Sequence, residues 1–462
     1  MEDFRSKIID AIKKDINEIS ESSELTTKQV GFMPADQEGE ARLDYPEESG
    51  WTFLINERDS VGEKIIEAIN PLAEYRDMDG ADSPLFFNNA PKQSWLDWIK
   101  KYSMLKKGEF GRPPQYVLII GGPSSIPFGF QTMLSLVAYV GRIDFDEVTQ
   151  VKSYAEKVKR IEGSKDSIVN KEVAFFATDH DRNDYGCHDP THYNCYAIED
   201  ELMPDVSKLS KQKYAPNGDL IRSEATKKNF LESLPKSKPA LVYATTWGMS
   251  APEESMALQQ KYTGAICCQG DYRNDPDYDT LLLTADDIPK EPPFLEGSIF
   301  FQQSSFSYGA PNVSLVNYVP DQGMIPKKIA QTDFVSSLPK KLVYHPQGPL
   351  AFVGHMDELL SFSYGIGESV DRDERKVQLA PFSMMIDHLL NGRPIGHALK
   401  EFTSRVSTAN NKLPEYDTAL SGTIRDQKKK EEMESKAAHL FLERNELQNY
   451  MIFGDPAVRL QQ

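Results

Sequence analysis

The sequence predicts an α/β protein: mainly parallel sheets with helices on both faces, a pattern that occurs twice along the chain. Three observations predict it. Short runs rich in β-branched and aromatic residues alternate with amphipathic stretches of helical length. Several of those runs are apolar throughout, as a strand buried on both faces requires: Tyr116 to Ile120, Ala240 to Ala244, and Ile299 to Phe301. Each such run then breaks into a turn of small or polar residues, which is how a parallel strand delivers a loop to one edge of its sheet.

The elements follow in order. Phe4, Ile8, Ile12, Ile16 and Ile19 fall on one face of a helix over residues 4–19, read as packed on its own domain. Residues 20–50 are rich in Ser, Glu, Asp and Gly, lack periodicity, and read as a long connection. A strand at 51–55, helices at 61–72 and 94–105, strands at 116–120 and 134–141, and a helix at 147–162 make a first unit, 51–165. A second unit, 166–462, has strands at 173–177, 220–222, 240–246, 298–301, 350–354 and 450–453. Its helices are placed at 196–209, 226–234, 382–390, 395–406 and 426–447. With 462 residues, the chain has ample length for both units.

Composition narrows the function. Hydrophobic residues make up 39% and charged residues 26%, as in a folded soluble protein. The formal net charge of −18 leaves no basic excess to neutralise phosphates, so no nucleic-acid partner is expected. The longest apolar runs are of strand length, so no membrane partner is expected either. The start, Met1-Glu2-Asp3-Phe4-Arg5, is charged and leads into an amphipathic pattern rather than an apolar signal segment. Four Cys in so long a chain do not form a disulfide framework. A cytoplasmic protein with reduced thiols is the expectation.

Two motifs bear on ligands. Gly121-Gly122 with Ser124-Ser125 could cradle a phosphate on bare backbone N–H groups, but no GKS or GxGxxG completes it, and it reads as a strand-end turn. Cys187, His188, His192 and Cys195 bring two thiols and two imidazoles into one short stretch, a donor set suited to zinc. Asp179, Asp181 and Asp184 just before it offer oxygens suited to calcium. The plainer reading of the stretch is a solvated polar loop and no cofactor. The mixed Lys/Glu run at 425–434 reads as a solvated helix face.

Several segments carry a resemblance: Tyr116-Val117-Leu118-Ile119-Ile120-Gly121-Gly122-Pro123, Val140-Gly141-Arg142-Ile143-Asp144, Thr246-Trp247-Gly248-Met249, and Gly264-Ala265-Ile266-Cys267-Cys268-Gln269. Ser304-Ser305-Phe306-Ser307-Tyr308-Gly309, Ala351-Phe352-Val353-Gly354-His355 and Phe453-Gly454-Asp455-Pro456-Ala457 complete the ordered set. In that order they resemble the gingipain-like branch of the caspase clan of cysteine peptidases. The resemblance implies two caspase-like (α/β/α) subdomains in a gingipain-like arrangement, the second carrying the site. Where the family has a His before the Gly of the first turn, this chain has Trp247. Where the family has Cys in the second turn, it has Ser305.

That replacement removes the chemistry. A cysteine peptidase needs a thiolate and a nearby imidazole to move its proton. An indole N–H only donates, and a serine hydroxyl is a poor nucleophile without an adjacent base. No catalytic residues are therefore expected at Trp247 and Ser305. The chain reads as a pseudopeptidase whose cleft, lined by Trp247, Gly248, Met249, Cys268, Gln269 and Ser305, binds a protein. By its family's company, it would restrain an active caspase-like peptidase, or act as a sensor or scaffold, in a bacterial regulatory or defence system. The alternative is an active cysteine or serine peptidase whose site has been rebuilt from Ser305, Cys267, Cys268 or His355.

Overall fold

A computed structural model describes residues 2–30, 45–76, 84–89, 91–105, 113–180, 190–209, 213–251, 255–272, 277–319, 325–360, 365–366, 376–377, 379–421 and 424–461. Its strands are β1 (Trp51–Asn56), β2 (Leu85–Phe87), β3 (Tyr116–Ile120), β4 (Tyr139–Ile143), β5 (Asn170–Ala177), β6 (Ala215–Ile221) and β7 (Pro239–Thr245). There follow β8 (Trp247–Gly248), β9 (Ile266–Cys267), β10 (Leu282–Leu283), β11 (Ile299–Gln303), β12 (Gly309–Ala310) and β13 (Val313–Val319). Last come β14 (Ile325–Lys328), β15 (Phe334–Val335), β16 (Ala351–His355), β17 (Gly365–Ile366), β18 (Lys376–Val377) and β19 (Tyr450–Phe453).

Ten strands form one continuous sheet in the order β2-β1-β3-β4-β19-β16-β11-β7-β5-β6. The mixed α/β class with a large, mainly parallel sheet is thus as the sequence predicts. The two groups of strands expected from the sequence hydrogen-bond into a single sheet through β4 and β19. Every neighbouring pair is parallel except β16 with β19. The sheet is therefore two five-strand parallel blocks meeting head to tail. One consequence concerns function: the carboxyl ends of β3 and β4 lie at the opposite end of the sheet from those of β7, β11 and β16. The Gly121-Gly122 turn and the turns carrying Trp247 and Ser305 cannot share one cleft edge.

Burial explains why the central strands read as unbroken apolar runs. All residues of β7, β11 and β16 are buried, and aromatic rings fill the layer beside them. Phe301 stacks on Tyr243 at 5.0 Å and on Tyr450 at 5.7 Å between ring centroids. At the edge the signal weakens. β6 begins at Ala215, five residues before the expected Leu220, because an edge strand tolerates the polar Pro-Asn-Gly-Asp run. The strand expected at 134–141 is instead a helix (Phe128–Leu134), a turn in which the N–H groups of Val137 and Ala138 donate to Leu134, and then β4. The helix expected at 196–209 is three pieces, with a π-turn over Ile198–Leu202 between helices Pro190–Ala197 and Met203–Leu209.

The N-terminal helix runs Glu2–Val30, so residues 20–30 are helix rather than part of the connection expected from 20 onward, and its Ile8, Ile12 and Ile19 face is buried. Ile8, Ile12 and Ile19 pack against Leu413, Ala437, Phe441 and Leu442. These lie on helices Lys400–Ser421 and Gln427–Leu447, so the first helix of the chain packs on its last two. Among the described residues no helix is long and apolar enough to cross a membrane.

Two buried polar clusters tie the sheet's covering layers together. Arg76 is bracketed by Glu162 at 2.6 Å and Asp455 at 2.7 Å, all with nearly fully buried side chains. Burial pushes the Arg76 guanidinium down, but the two carboxylates together hold it above its ordinary value. Lys157, on helix Val148–Glu162, donates to the carbonyls of Val343 at 2.6 Å, Pro349 at 2.7 Å and His345 at 3.2 Å. Burial lowers its pKa from 10.5 to about 7. Between those two values the unfolded chain holds a proton that the folded protein has shed, so stability rises with pH there. Lys157→Met is expected to lose this rise. Urea denaturation at pH 7 and pH 9 should show wild type gaining over the variant, by at most about 1.4 kcal/mol per pH unit.

Candidate functional site

β7 and β11 are parallel neighbours in register, with Gln303 opposite Thr245. The residues just beyond them therefore emerge side by side at one edge, and these are Trp247 and Ser305. The contact is close. A methyl group on Gly248 would overlap the carbonyl oxygen and Cβ of Ser305, so only glycine lets β8 lie on this turn. The turn is also strained. Phe306, a bulky buried residue, sits at φ 60°, in the left-handed region. Strain held at a strand's carboxyl end marks a position that the surrounding structure over-determines.

Ser305 is half-buried, and its hydroxyl oxygen accepts a hydrogen bond from the backbone N–H of Leu359 at 2.9 Å. Among the described residues no imidazole is hydrogen-bonded to it. The turn's own amides are committed: Phe306 donates to the Asp357 carbonyl at 2.9 Å and Tyr308 to the His355 carbonyl at 3.0 Å. The amide that follows the Ser305 position is therefore not presented to a ligand.

Trp247 is held from two sides. Its ring stacks on His180 at 4.1 Å with 26° between planes, and Tyr272 lies 5.7 Å away, tilted. β8 pairs with β9, placing Trp247 opposite Cys267. His180 Nε2 lies 3.3 Å from the Cys267 carbonyl, and its backbone N–H donates to Thr191 Oγ1 at 3.0 Å. Met249 and Trp247 pack against the small cluster of Ala265, Cys267 and Leu282. Gln269 is paired with the backbone of Asp179, accepting its N–H and donating to its carbonyl, both at 2.8 Å. Trp247, Met249 and Ser305 thus lie at one edge of the sheet, with Trp247 held in an aromatic stack.

Of the residues considered for a rebuilt site, Cys267, Cys268 and His355 are buried. Burial pushes the Cys267 thiol up to about 12, and the Cys268 thiol higher still. Neither forms a thiolate near neutrality. His355 is fully buried, with Nδ1 2.7 Å from the Asp357 carbonyl and Nε2 3.1 Å from that of Glu446. Burial lowers its pKa to about 4. Both its ring nitrogens are engaged by backbone, as in a structural histidine.

Of the metal candidates, Cys187 and His188 lie outside the described residues, as do Asp181 and Asp184. Cys195 faces inward, its Sγ 3.4 Å from the Thr178 carbonyl, and burial pushes its thiol up to about 12. His192 Nδ1 is 3.0 Å from Asp179, whose carboxylate also meets Arg222. Arg222 in turn reaches Glu199 at 2.8 Å. Among the described residues no group of three or more His, Cys, Asp or Glu side chains is arranged around a common metal position.

Sequence reasoning missed three participants at this edge: His180, Tyr272 and the 356–360 segment. His180 was legible in principle, since it follows β5, the parallel neighbour of β7. Tyr272 and Leu359 act through loops whose course no periodicity announces.

No family model matches the sequence, and no curated protein matches it. Among solved structures, the chain is similar to the crystal structure of the Arg-specific cysteine proteinase gingipain R, with 11% identity, TM-score 0.45, and coverage of 89% of this chain and 78% of that one. It is similar also to the complex of Porphyromonas gingivalis RgpB pro- and mature domains, with 10% identity, TM-score 0.42, and coverage of 89% and 80%. Similarity at this level carries no chemistry, which rests on the residues of this chain.

Proposed function

We propose that this chain is a catalytically silent protein of the gingipain-like, caspase-clan kind, and that its cleft at Trp247 and Ser305 binds another protein. The observation that carries the reading is the state of Ser305. Its hydroxyl accepts from Leu359, and no imidazole among the described residues is bonded to it. Without a base within hydrogen-bond reach, a serine is not activated as a nucleophile. The stacked Trp247 and His180 supply instead what an interface uses, a rigid aromatic anchor with little side-chain entropy left to lose. We infer two caspase-like halves, 51–165 and 166–462, the second presenting the cleft. The partner class that the sequence resemblance suggests is an active caspase-like peptidase, which this protein would hold or restrain.

The reading is tested by pairing. The purified chain, carrying a photo-crosslinker at Met249, is mixed with candidate caspase-like peptidases from the same cells. One stoichiometric adduct, with affinity reduced at least tenfold by Trp247→Ala, is the expected result. Adducts that are equally abundant with Trp247→Ala would place binding elsewhere and sink the assignment of the cleft.

A further inference from the structure

We propose that residues 355–360 form a strap that closes the cleft, and that Ser305 is its fastening point; this rests on the binding role proposed for the cleft. The strap leaves β16 through a bend at Met356–Asp357 and passes the turn after β11. Its rungs come every second residue. The His355 carbonyl accepts from Tyr308 at 3.0 Å, the Asp357 carbonyl accepts from Phe306 at 2.9 Å, and the Leu359 amide donates to Ser305 Oγ at 2.9 Å. The first two rungs are backbone to backbone. The third uses a side chain, and it is the outermost.

The inner end of the strap is firmly held. The Asp357 carboxylate is fully buried and accepts from Ser314 Oγ at 2.9 Å and 3.0 Å and from the Glu358 amide at 2.7 Å. Beyond the last rung, the Leu360 amide donates to the Glu446 carboxylate at 2.6 Å. An occupant that reaches Ser305 must detach Leu359 from Ser305 and Leu360 from Glu446, while the rungs at His355 and Asp357 can stay in place. Opening is thus local, hinged at Asp357.

The residue type at 305 decides how firmly the strap closes. A hydroxyl oxygen is a good acceptor and a thiol sulfur a weak one. Serine at this position fastens the strap where a cysteine would leave it loose. The replacement that removes a nucleophile therefore also makes a latch.

Amide-resolved hydrogen exchange on the full chain tests this without any partner. In Ser305→Ala the Leu359 amide should exchange about fivefold faster than in wild type, the loss of one net hydrogen bond. The Phe306 and Tyr308 amides should keep their rates. Unchanged exchange at Leu359, or an equal rise at all three amides, overturns the strap. A second readout uses the thiol of Ser305→Cys. Iodoacetamide should modify it about fivefold faster when Ser314→Ala is added, because the hinge then loses its clamp on Asp357. Equal labelling rates overturn the hinge. Failure to find a partner would leave both results intact, so the strap and the binding reading fail separately.

Discussion

Asp455→Ala is expected to lower the free energy of unfolding by about 3–5 kcal/mol, the range for breaking a buried ion pair by removing one partner. Asp455 is fully buried and serves several groups at once. Its carboxylate accepts from Trp51 Nε1 at 2.8 Å, from Arg76 Nε at 2.9 Å and from the Ala457 amide at 3.0 Å. Its own amide donates to Tyr154 Oη at 2.6 Å. Truncation strands the Arg76 guanidinium with Glu162 alone and leaves the Trp51 indole without its acceptor. Because Trp51 and Arg76 come from the start of the first unit and Asp455 from the end of the chain, the loss should appear as one cooperative shift. Urea denaturation followed by circular dichroism reads it. A change below about 1 kcal/mol would mean that the triad is solvated and not the clasp described.

The second large effect is expected at Gly248. Introducing alanine puts a methyl group into the carbonyl oxygen and Cβ of Ser305, and neither is the free end of a flexible side chain. β8 or the Ser304–Gly309 turn must shift, at a cost of about 1–3 kcal/mol or more for overpacking. The shift falls on the cleft itself. Trp247 should move off His180, so Trp fluorescence should change, and a Trp247-dependent adduct should be lost along with it. An equally stable Gly248→Ala protein with unchanged fluorescence would show that the two turns are not in the contact described.

Much of this was legible in the sequence because buried parallel strands announce themselves. Tyr116 to Ile120, Ala240 to Ala244 and Ile299 to Phe301 are apolar since both faces are covered, and all three lie in strands. That Trp247 and Ser305 share one edge was implied by the resemblance alone; the pairing of β7 with β11 that makes them end together is a fact of the sheet. What the sequence did not reveal depends on long-range pairing. Nothing in Tyr450–Phe453 states that it runs antiparallel to β16, yet that one pairing joins two blocks into one sheet. Leu134 to Ala138 misled because an apolar run can turn out of a helix as readily as it can extend. The latch at Ser305 was hidden for the same reason, since its partner Leu359 is fifty-four residues away and contributes only a backbone amide. His180 was visible as a strand-end residue, but its flat stack on Trp247 is a tertiary fact.

The central claim is that the cleft binds and does not cut. The most direct measurement is turnover by the purified chain of a broad set of fluorogenic peptides, run beside Ser305→Ala and a Cys267→Ala, Cys268→Ala double variant. The account predicts no hydrolysis above buffer for any of the three, and no covalent adduct with peptide electrophiles by mass spectrometry. Hydrolysis by the wild type that Ser305→Ala or the double variant abolishes would contradict it, and would mean that a base reaches the site from a part of the chain not placed beside it here.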